Sequence, residues 1–271
     1  MMDGTGTFSR SLQRARGAIR TTFRNGALDC LFHSGSAKAL LPRSYGPPNE
    51  VVLVNTAGGI TGGDAFTYEF GADASDVTVT TQAAERAYRS TGNDAARLDV
   101  KLTAQNGARL HWLPQETILF DHSRLARQIE VDMDQDSECL ILESLVFGRH
   151  AMGETLTQCQ FTDRWRIRRD GRLVHAEALR LDGDPGRCLA NVAGANGAQI
   201  MAVIVYVGPR VGQIHADMNC VLGGVASRAA VSTWDGKVVM RLLADETMVG
   251  KQDLTKILTA MGALQVPRVW Q

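Results

Sequence analysis

Three groups of residues in this chain have types and spacings that could do chemistry. The first is Asn55-Thr56-Ala57-Gly58-Gly59-Ile60-Thr61-Gly62-Gly63-Asp64, with four glycines inside six residues and a carboxylate at the end. Glycine loses the most backbone freedom on folding, so such a loop implies positive φ angles, a close backbone approach, or a polar path beside the main chain. A phosphate-binding loop needs lysine and then Ser or Thr after its second glycine, and here Asp64 follows Gly63. The dinucleotide fingerprint G-x-G-x-x-G is absent, and Phe66-Thr67-Tyr68-Glu69-Phe70 alternates like a strand where a helix should open. A turn between two strands, with Asp64 capping backbone amides, is the simpler reading.

The second group is Glu116 with Asp121, inside Trp112-Leu113-Pro114-Gln115-Glu116-Thr117-Ile118-Leu119-Phe120-Asp121. Two carboxylates in an apolar setting could be a general acid and base, or metal ligands. An offset of five residues puts them on opposite faces of a regular strand, so a shared site would need a bulge. Separate hydrogen-bonding roles require nothing special. His215-Ala216-Asp217-Met218-Asn219-Cys220 gathers donors that suit nickel or zinc, but its spacing matches no closed site. A metal-dependent enzyme using Glu116 and Asp121, or the His215–Cys220 cluster, is the alternative these residues keep open. His122 and His150 stand alone, and no G-x-S-x-G elbow supports a serine hydrolase.

The third group is Glu143 and Glu177. Glu143 interrupts the apolar stretch from Cys139 to Phe147, and Glu177 sits in Val174-His175-Ala176-Glu177-Ala178-Leu179. A bare buried carboxylate is costly, so each must be paired, hydrated or functional. Together they could line a wet internal channel, or each could pair with one of the many arginines.

The elements that must position these residues read mainly as β structure. Val77–Thr81, Leu98–Leu102 and Ile129–Met133 alternate with period two, as half-buried strands do. Cys139–Leu142 and Ile200–Val207 are continuous apolar runs suited to strands covered on both faces. Asp170-Gly171 between Trp165–Arg168 and Leu173-Val174 signals a two-residue hairpin. A sandwich, a barrel and a β-helix all fit this pattern. Helix signals are confined to the C-terminal part, near 218–264. One spans Asp253 to Leu264, with Leu254, Ile257, Leu258, Met261 and Leu264 on one face, Asp253 as N-cap and Pro267 beyond. A second spans Met218 to Ala230, weakened by Gly223-Gly224. Residues 1–271 are expected to form one unit.

Composition narrows the setting. Of 271 residues, 44% are apolar and 21% charged, as in ordinary globular proteins. Basic and acidic residues balance at 29 each, so no overall charge draws the chain to nucleic acid or an anionic membrane. Five cysteines, with no C-x-x-C pair, fit free thiols in a reducing compartment. The start, Met1 to Gly6, has no apolar core for a signal peptide, and no apolar run is long enough to span a bilayer. A cytoplasmic protein is expected. Arginine far outnumbers lysine, which suits contacts with a partner surface.

Four segments in register resemble the UreD (also UreH) family of urease accessory proteins. The glycine loop looks like that family's N-x-A-G-G-x-x-G-G-D, carried here by Gly58, Gly59, Gly62, Gly63 and Asp64. Thr80-Thr81-Gln82-Ala83 through Tyr88-Arg89-Ser90 is similar to its T-T-x-A…Y-R-S segment. Trp112-Leu113-Pro114-Gln115-Glu116-Thr117 with Phe120-Asp121 matches W-L-P-Q-E-T…F-D. Gly148-Arg149 and Gly153-Glu154 resemble G-R-x-x-x-G-E. Thr56 stands where the family often has proline, which leaves the loop entry less stiff. The resemblance implies a β-helix-like fold with helices near the C-terminus and a maturation factor that is not an enzyme. It further implies partners: UreF-like and UreG-like accessory proteins, the latter the GTPase, and apo-urease. Nickel would be in transit through an internal water-filled tunnel, with no resident cofactor and no nucleotide on this chain. Asp64, Ser90, Glu143 and Glu177 match polar tunnel-lining positions, and Asp64, Glu143 and Glu177 would meet the metal.

Overall fold

The computed structural model describes residues 13–43, 46–149, 152–262 and 266–270. The chain winds between two sheets. β1 (Arg16–Arg24) and β2 (Ala27–Gly35) form a hairpin at one end of the first sheet, and β3 (Ala37–Leu40) then crosses to the second. From β4 (Asn49–Asn55) onward the path alternates. β5 (Ala65–Asp73), β8 (Ala96–Gln105), β11 (Ser123–Met133) and β13 (Cys159–Arg169) add to the first sheet. β6 (Asp76–Thr81), β9 (Arg109–Trp112) and β12 (Glu138–Phe147) add to the second, with the short β7 (Glu85–Ala87) and β10 (Thr117–Leu119) beside them. Neighbours β1-β5-β8-β11-β13 and β4-β6-β9-β12 pair in parallel, so successive coils stack as a solenoid. Of the three architectures open to the sequence, the β-helix-like one is observed.

β14 (Arg172–Gly183) turns back on β13 through the Asp170-Gly171 hairpin, whose φ angles of 50° and 74° are those of a type I′ turn. After the short α1 (Pro185–Ala190), β15 (Ile200–Val207) extends the second sheet antiparallel to β12. α2 (Val211–Leu222), the hairpin β16 (Arg228–Trp234) and β17 (Lys237–Ala244), and α3 (Thr247–Ala260) complete the fold.

Two apolar layers result. Inward residues of both sheets, including Phe66, Val100, Leu110, Ile129, Ile141 and Phe161, form the solenoid core. The outer face of the second sheet carries Leu140, Leu142, Ile204 and Met240 against Ile214, Met218, Leu254, Ile257 and Leu258 of the helices. β12 and β15 lie between the layers, which explains their unbroken apolar runs.

The helical region differs from expectation in three ways. The helix expected over Met218–Ala230 runs Val211–Leu222 and ends at Gly223, and β16 occupies the rest. The region near 218–264 therefore contains a β-hairpin as well as helix. Asp253 is no N-cap: it lies inside α3, where its carboxylate accepts from Ala226 N, Ser227 N and Ser227 Oγ at 2.8–2.9 Å. The apolar face of α3 is buried as expected, and Leu264 lies outside the described residues, as do His150 and the segment Met1 to Gly6.

Candidate functional site

Four loops carry the chain from the second sheet back to the first: 56–64, 88–95, 120–122 and 148–158. They are equivalent corners of successive coils, so they stack, and every family-like segment contributes to them. Asn55 opens the first corner by accepting Ala57 N, and Gly58 O accepts the Tyr88 hydroxyl at 3.1 Å. A Cβ on Gly59 would lie 2.3 Å from the Tyr88 ring and 2.7 Å from Arg86 O. One on Gly62 would lie 2.0 Å from Ser90 Oγ and 2.3 Å from Asp94 O, so only glycine lets these corners touch. Gly62 N donates to Ser90 Oγ at 2.8 Å, and Ser90 N donates to His122 O at 3.0 Å. Tyr88 meets Phe120 edge-on at 4.9 Å, and the Arg149 guanidinium covers Phe120 at 4.5 Å while pairing with Glu154.

Two carboxylates of these corners, Asp64 and Asp121, are held by neutral donors. Asp64 accepts Ala15 N at 2.8 Å through one oxygen and Thr61 N at 2.9 Å through the other. Asp121 accepts Thr157 N, Thr157 Oγ1 and Gln158 N; burial alone would raise its pKa, but these hydrogen bonds hold it below the usual range. Glu116 faces elsewhere, toward Lys251 of α3 at 2.9 Å. Its neighbours Gln115 and Leu113 bond Val269 O and Trp270 Nε1, so the segment around Pro114 anchors the C-terminal region. Behind the glycine loop, Asn55, Gly59, Tyr68 and Glu85 line a 190 Å³ cavity. Loss of water pushes the Glu85 carboxyl up to about 7, against hydrogen bonds from Asn55 and Arg86 N.

Between the sheets lies a second polar system of charged side chains. Arg127 of β11, Glu143 of β12 and Asp163 of β13 point into the core and are 3–4% exposed. Arg127 grips Asp163 through Nε at 3.0 Å and Nη2 at 2.6 Å. Its Nη1 donates to Glu143 and, at 3.2 Å, to Thr117 Oγ1. Glu143 also accepts Trp112 Nε1 at 2.8 Å. Two carboxylates face one guanidinium in a low-dielectric space, an imbalance that favours the protonated form of Glu143. Burial holds the Glu143 carboxyl above its ordinary range; Arg127 opposes this and Asp163 adds to it. Burial works against the Arg127 charge, but Asp163 and Glu143 more than offset it, so the guanidinium stays protonated.

One strand further on, Trp165 of β13 stands in register with Glu177 of β14. Glu177 spans to the second sheet, accepting Arg241 Nη2 at 2.7 Å, and His175 Nε2 stands 3.7 Å from it. Burial favours the neutral form of Glu177, but His175 and Arg241 prevail and lower its pKa. Glu143 with Asp163 is thus a buried carboxylate station and Glu177 a half-buried one, each held by an arginine.

A family profile described as "UreD urease accessory protein" matches residues 13–271. The chain belongs to the UreD urease accessory protein family. The Rhizobium rhizogenes protein named urease accessory protein UreD is 40% identical over 264 residues, covering 95% of this chain and 96% of that one. Its namesake in Xanthobacter autotrophicus is 41% identical over 263 residues, covering 95% and 90%. The Agrobacterium fabrum protein of the same name is 39% identical over 264 residues, covering 95% and 92%. These relatives are named as accessory proteins, and the chain, as a member of this family, is not an enzyme.

The structure sorts the residues singled out in the sequence. Gly58, Gly59, Gly62, Gly63, Asp64, Ser90, Asp121, Gly148 and Arg149 belong to the stacked corners; Trp112 and Glu143 belong to the interior, and Glu177 to its further station. Gly59 and Gly62 do not hold open space: Tyr88 and Ser90 fill it, while the space beside Gly58 is open and Gly63 faces Arg14. Glu116 and Asp121 serve separate contacts, as their spacing allowed. His215 bonds Asn219, Asp217 bonds Gln213 and Cys220 is exposed, so the α2 cluster does not converge. Among the described residues no three His, Cys, Asp or Glu side chains are grouped to hold a metal, and no helix is long and apolar enough to cross a membrane. Arg127 and Asp163 escaped the sequence reading of this UreD family member. Their signal was a charge at an inner position of an alternating strand, Leu125-Arg127-Ile129 and Phe161-Asp163-Trp165.

Proposed function

We propose that this protein is a cytoplasmic subunit of the machinery that matures urease. It works with UreF-like and UreG-like partners on apo-urease and conducts nickel through its interior toward the urease active site. Nickel is cargo here, and the chain keeps no cofactor. The observation that supports this reading is the pair of carboxylate stations between the sheets, Glu143 with Asp163 and then Glu177. Charged groups are expensive in a dry core, and a fold needing only stability would do as well with apolar residues of like volume. Oxygen donors, few at each station, can replace part of the hydration of nickel without trapping it. Ser90 and Asp64 hold the corner beside this interior and fix its shape.

The test is urease activation with purified components. Glu143→Ala and Glu177→Ala should lower the nickel loaded per urease while the accessory complex still assembles. Glu143→Ala leaves Arg127 paired with Asp163, so the fold should survive it. Loss of assembly in both variants, or full nickel loading with either, would overturn the conduit.

A further inference from the structure

The 190 Å³ cavity behind the glycine loop belongs to neither carboxylate station, and its own carboxylate has no cation set against it. Glu85 takes its hydrogen bonds from neutral donors: Asn55 Nδ2 stands 3.2 Å from both oxygens and Arg86 N 3.1 Å from one. The Arg86 guanidinium acts on it through space, without an ion pair. Tyr68, 4% exposed, borders the same cavity, and its hydroxyl makes no hydrogen bond among the described residues. Buried polar groups are nearly always partnered, so a carboxylate without a cation beside a phenol without a partner calls for an occupant. We propose that this cavity is a socket for a lysine side chain of a partner protein, whose ammonium group sits between Glu85 and Tyr68. The inference does not depend on nickel passing through the chain.

The lining selects that group. Gly59 O accepts the same Asn55 amide at 3.1 Å, so a carbonyl stands beside the Glu85 carboxylate. An ammonium has three donors and no acceptor, which matches carboxylate, carbonyl and phenol oxygens. A guanidinium would present its fork to two carboxylate oxygens, and Asn55 Nδ2 already straddles both oxygens of Glu85. A transition metal would find one carboxylate and neither imidazole nor thiolate in the lining. Leu53, Val54, Ala83 and Ala84 give apolar wall to the lysine stem. The volume is below the roughly 300 Å³ at which sites for drug-sized ligands begin, and suits one side chain. Burial raises the Glu85 carboxyl to about 7 and the Asp64 charge adds to this; a cation in the socket opposes both.

The socket opens on surface that a partner can reach. Gly58, Gln82 and Ala83 of its rim are exposed, and a Cβ on Gly58 would meet nothing within 4 Å. Tyr88 fixes this rim by donating to Gly58 O. A docked lysine therefore touches the corner that carries the glycine pairs.

The first test applies n-butylamine, a lysine side chain without its backbone, to the full-length chain. At pH 8 it should raise the thermal midpoint, whereas n-butanol at the same concentration should not. Glu85→Gln, which keeps the shape of the cavity, should abolish the rise, and Tyr68→Phe should reduce it. Because Glu85 titrates at about 7, the affinity for n-butylamine should fall about tenfold between pH 8 and pH 6. The second test measures the affinity of the full-length chain for each partner in the proposed machinery. Glu85→Gln should weaken one of them about tenfold at pH 8 and little at pH 6, and acetylating that partner's lysines should do the same. An equal response to n-butanol, or a response that survives Glu85→Gln, overturns the socket. A rise with nickel chloride that Glu85→Gln removes, with none for the amine, makes the cavity a metal site and also overturns it. Binding of n-butylamine with every partner's affinity unchanged in Glu85→Gln removes the docking role and leaves the conduit untouched. Nickel loading indifferent to Glu143 and Glu177 would remove the conduit and leave the socket.

Discussion

The stacked corners and the stations between the sheets both hold buried or half-buried carboxylates, but they hold them differently. Asp64 and Asp121 are fixed by backbone amides and a threonine hydroxyl, from their own or an adjoining corner and, for Asp64, from Ala15 at the entry to β1. Those donors cannot leave without unfolding the loop. Glu143, Asp163 and Glu177 are held by the side chains of Arg127 and Arg241 instead. A carboxylate capped by amides is fixed by its own loop; one held by a guanidinium depends on a side chain from another strand. The residues that make the family recognisable fall mostly in the first class, and the chemistry proposed here falls in the second.

The comparison breaks most visibly at Gly62. Gly62→Ala would push a methyl group into Ser90 Oγ and Asp94 O, and the second of these is backbone. It should cost about 3 kcal/mol or more in denaturant unfolding. A loss below about 1 kcal/mol would show that the corners are not close-packed.

Glu85, behind the glycine loop, sharpens the comparison because its donors, Asn55 Nδ2 and Arg86 N, do not offset its burial. Its carboxyl is raised to about 7 from an ordinary 4.5. A raised acid favours the folded state below its unfolded value and loses that contribution as pH rises through 7. Glu85→Gln should therefore stabilise the protein at pH 8, by about 1–2 kcal/mol after allowance for partial exposure, and change little at pH 4.5. Thermal melts at the two pH values check the sign.

The smallest expected effect on stability is at Glu177. Its partner Arg241 has a side chain 56% exposed, so Glu177→Ala should cost under about 1 kcal/mol. A small stability change beside a large loss of nickel delivery would separate function from folding at one residue.

Much of the fold was legible, because period-two alternation and continuous apolar runs report local burial. Val77–Thr81, Leu98–Leu102, Ile129–Met133 and Ile200–Val207 all lie in strands. Asp170-Gly171 makes its hairpin, and Asn25-Gly26 and Asp235-Gly236 make two more by the same positive φ angles. The choice of a solenoid was not legible, since parallel stacking of strands some thirty residues apart leaves no local mark. α2 was misplaced because Arg210 offers no side-chain cap and Gly223, its stop, read as an interior weakness. Asp253 looked like a cap because it binds amides, but they belong to Ala226 and Ser227 across the packed helix. At the site, Glu143 and Glu177 stood out as charges in apolar strands. Which arginines they use depended on which strands become neighbours, and only the coil register supplies that.

The central claim is that side-chain-held carboxylates between the sheets carry nickel to urease. The most direct measurement is nickel per urease active site after activation by matched amounts of assembled complex, containing either the unaltered chain or the Glu143→Ala/Glu177→Ala double variant. The account predicts that the double variant delivers little more nickel than reactions lacking this chain. Nickel loading equal to that of the unaltered chain would contradict it.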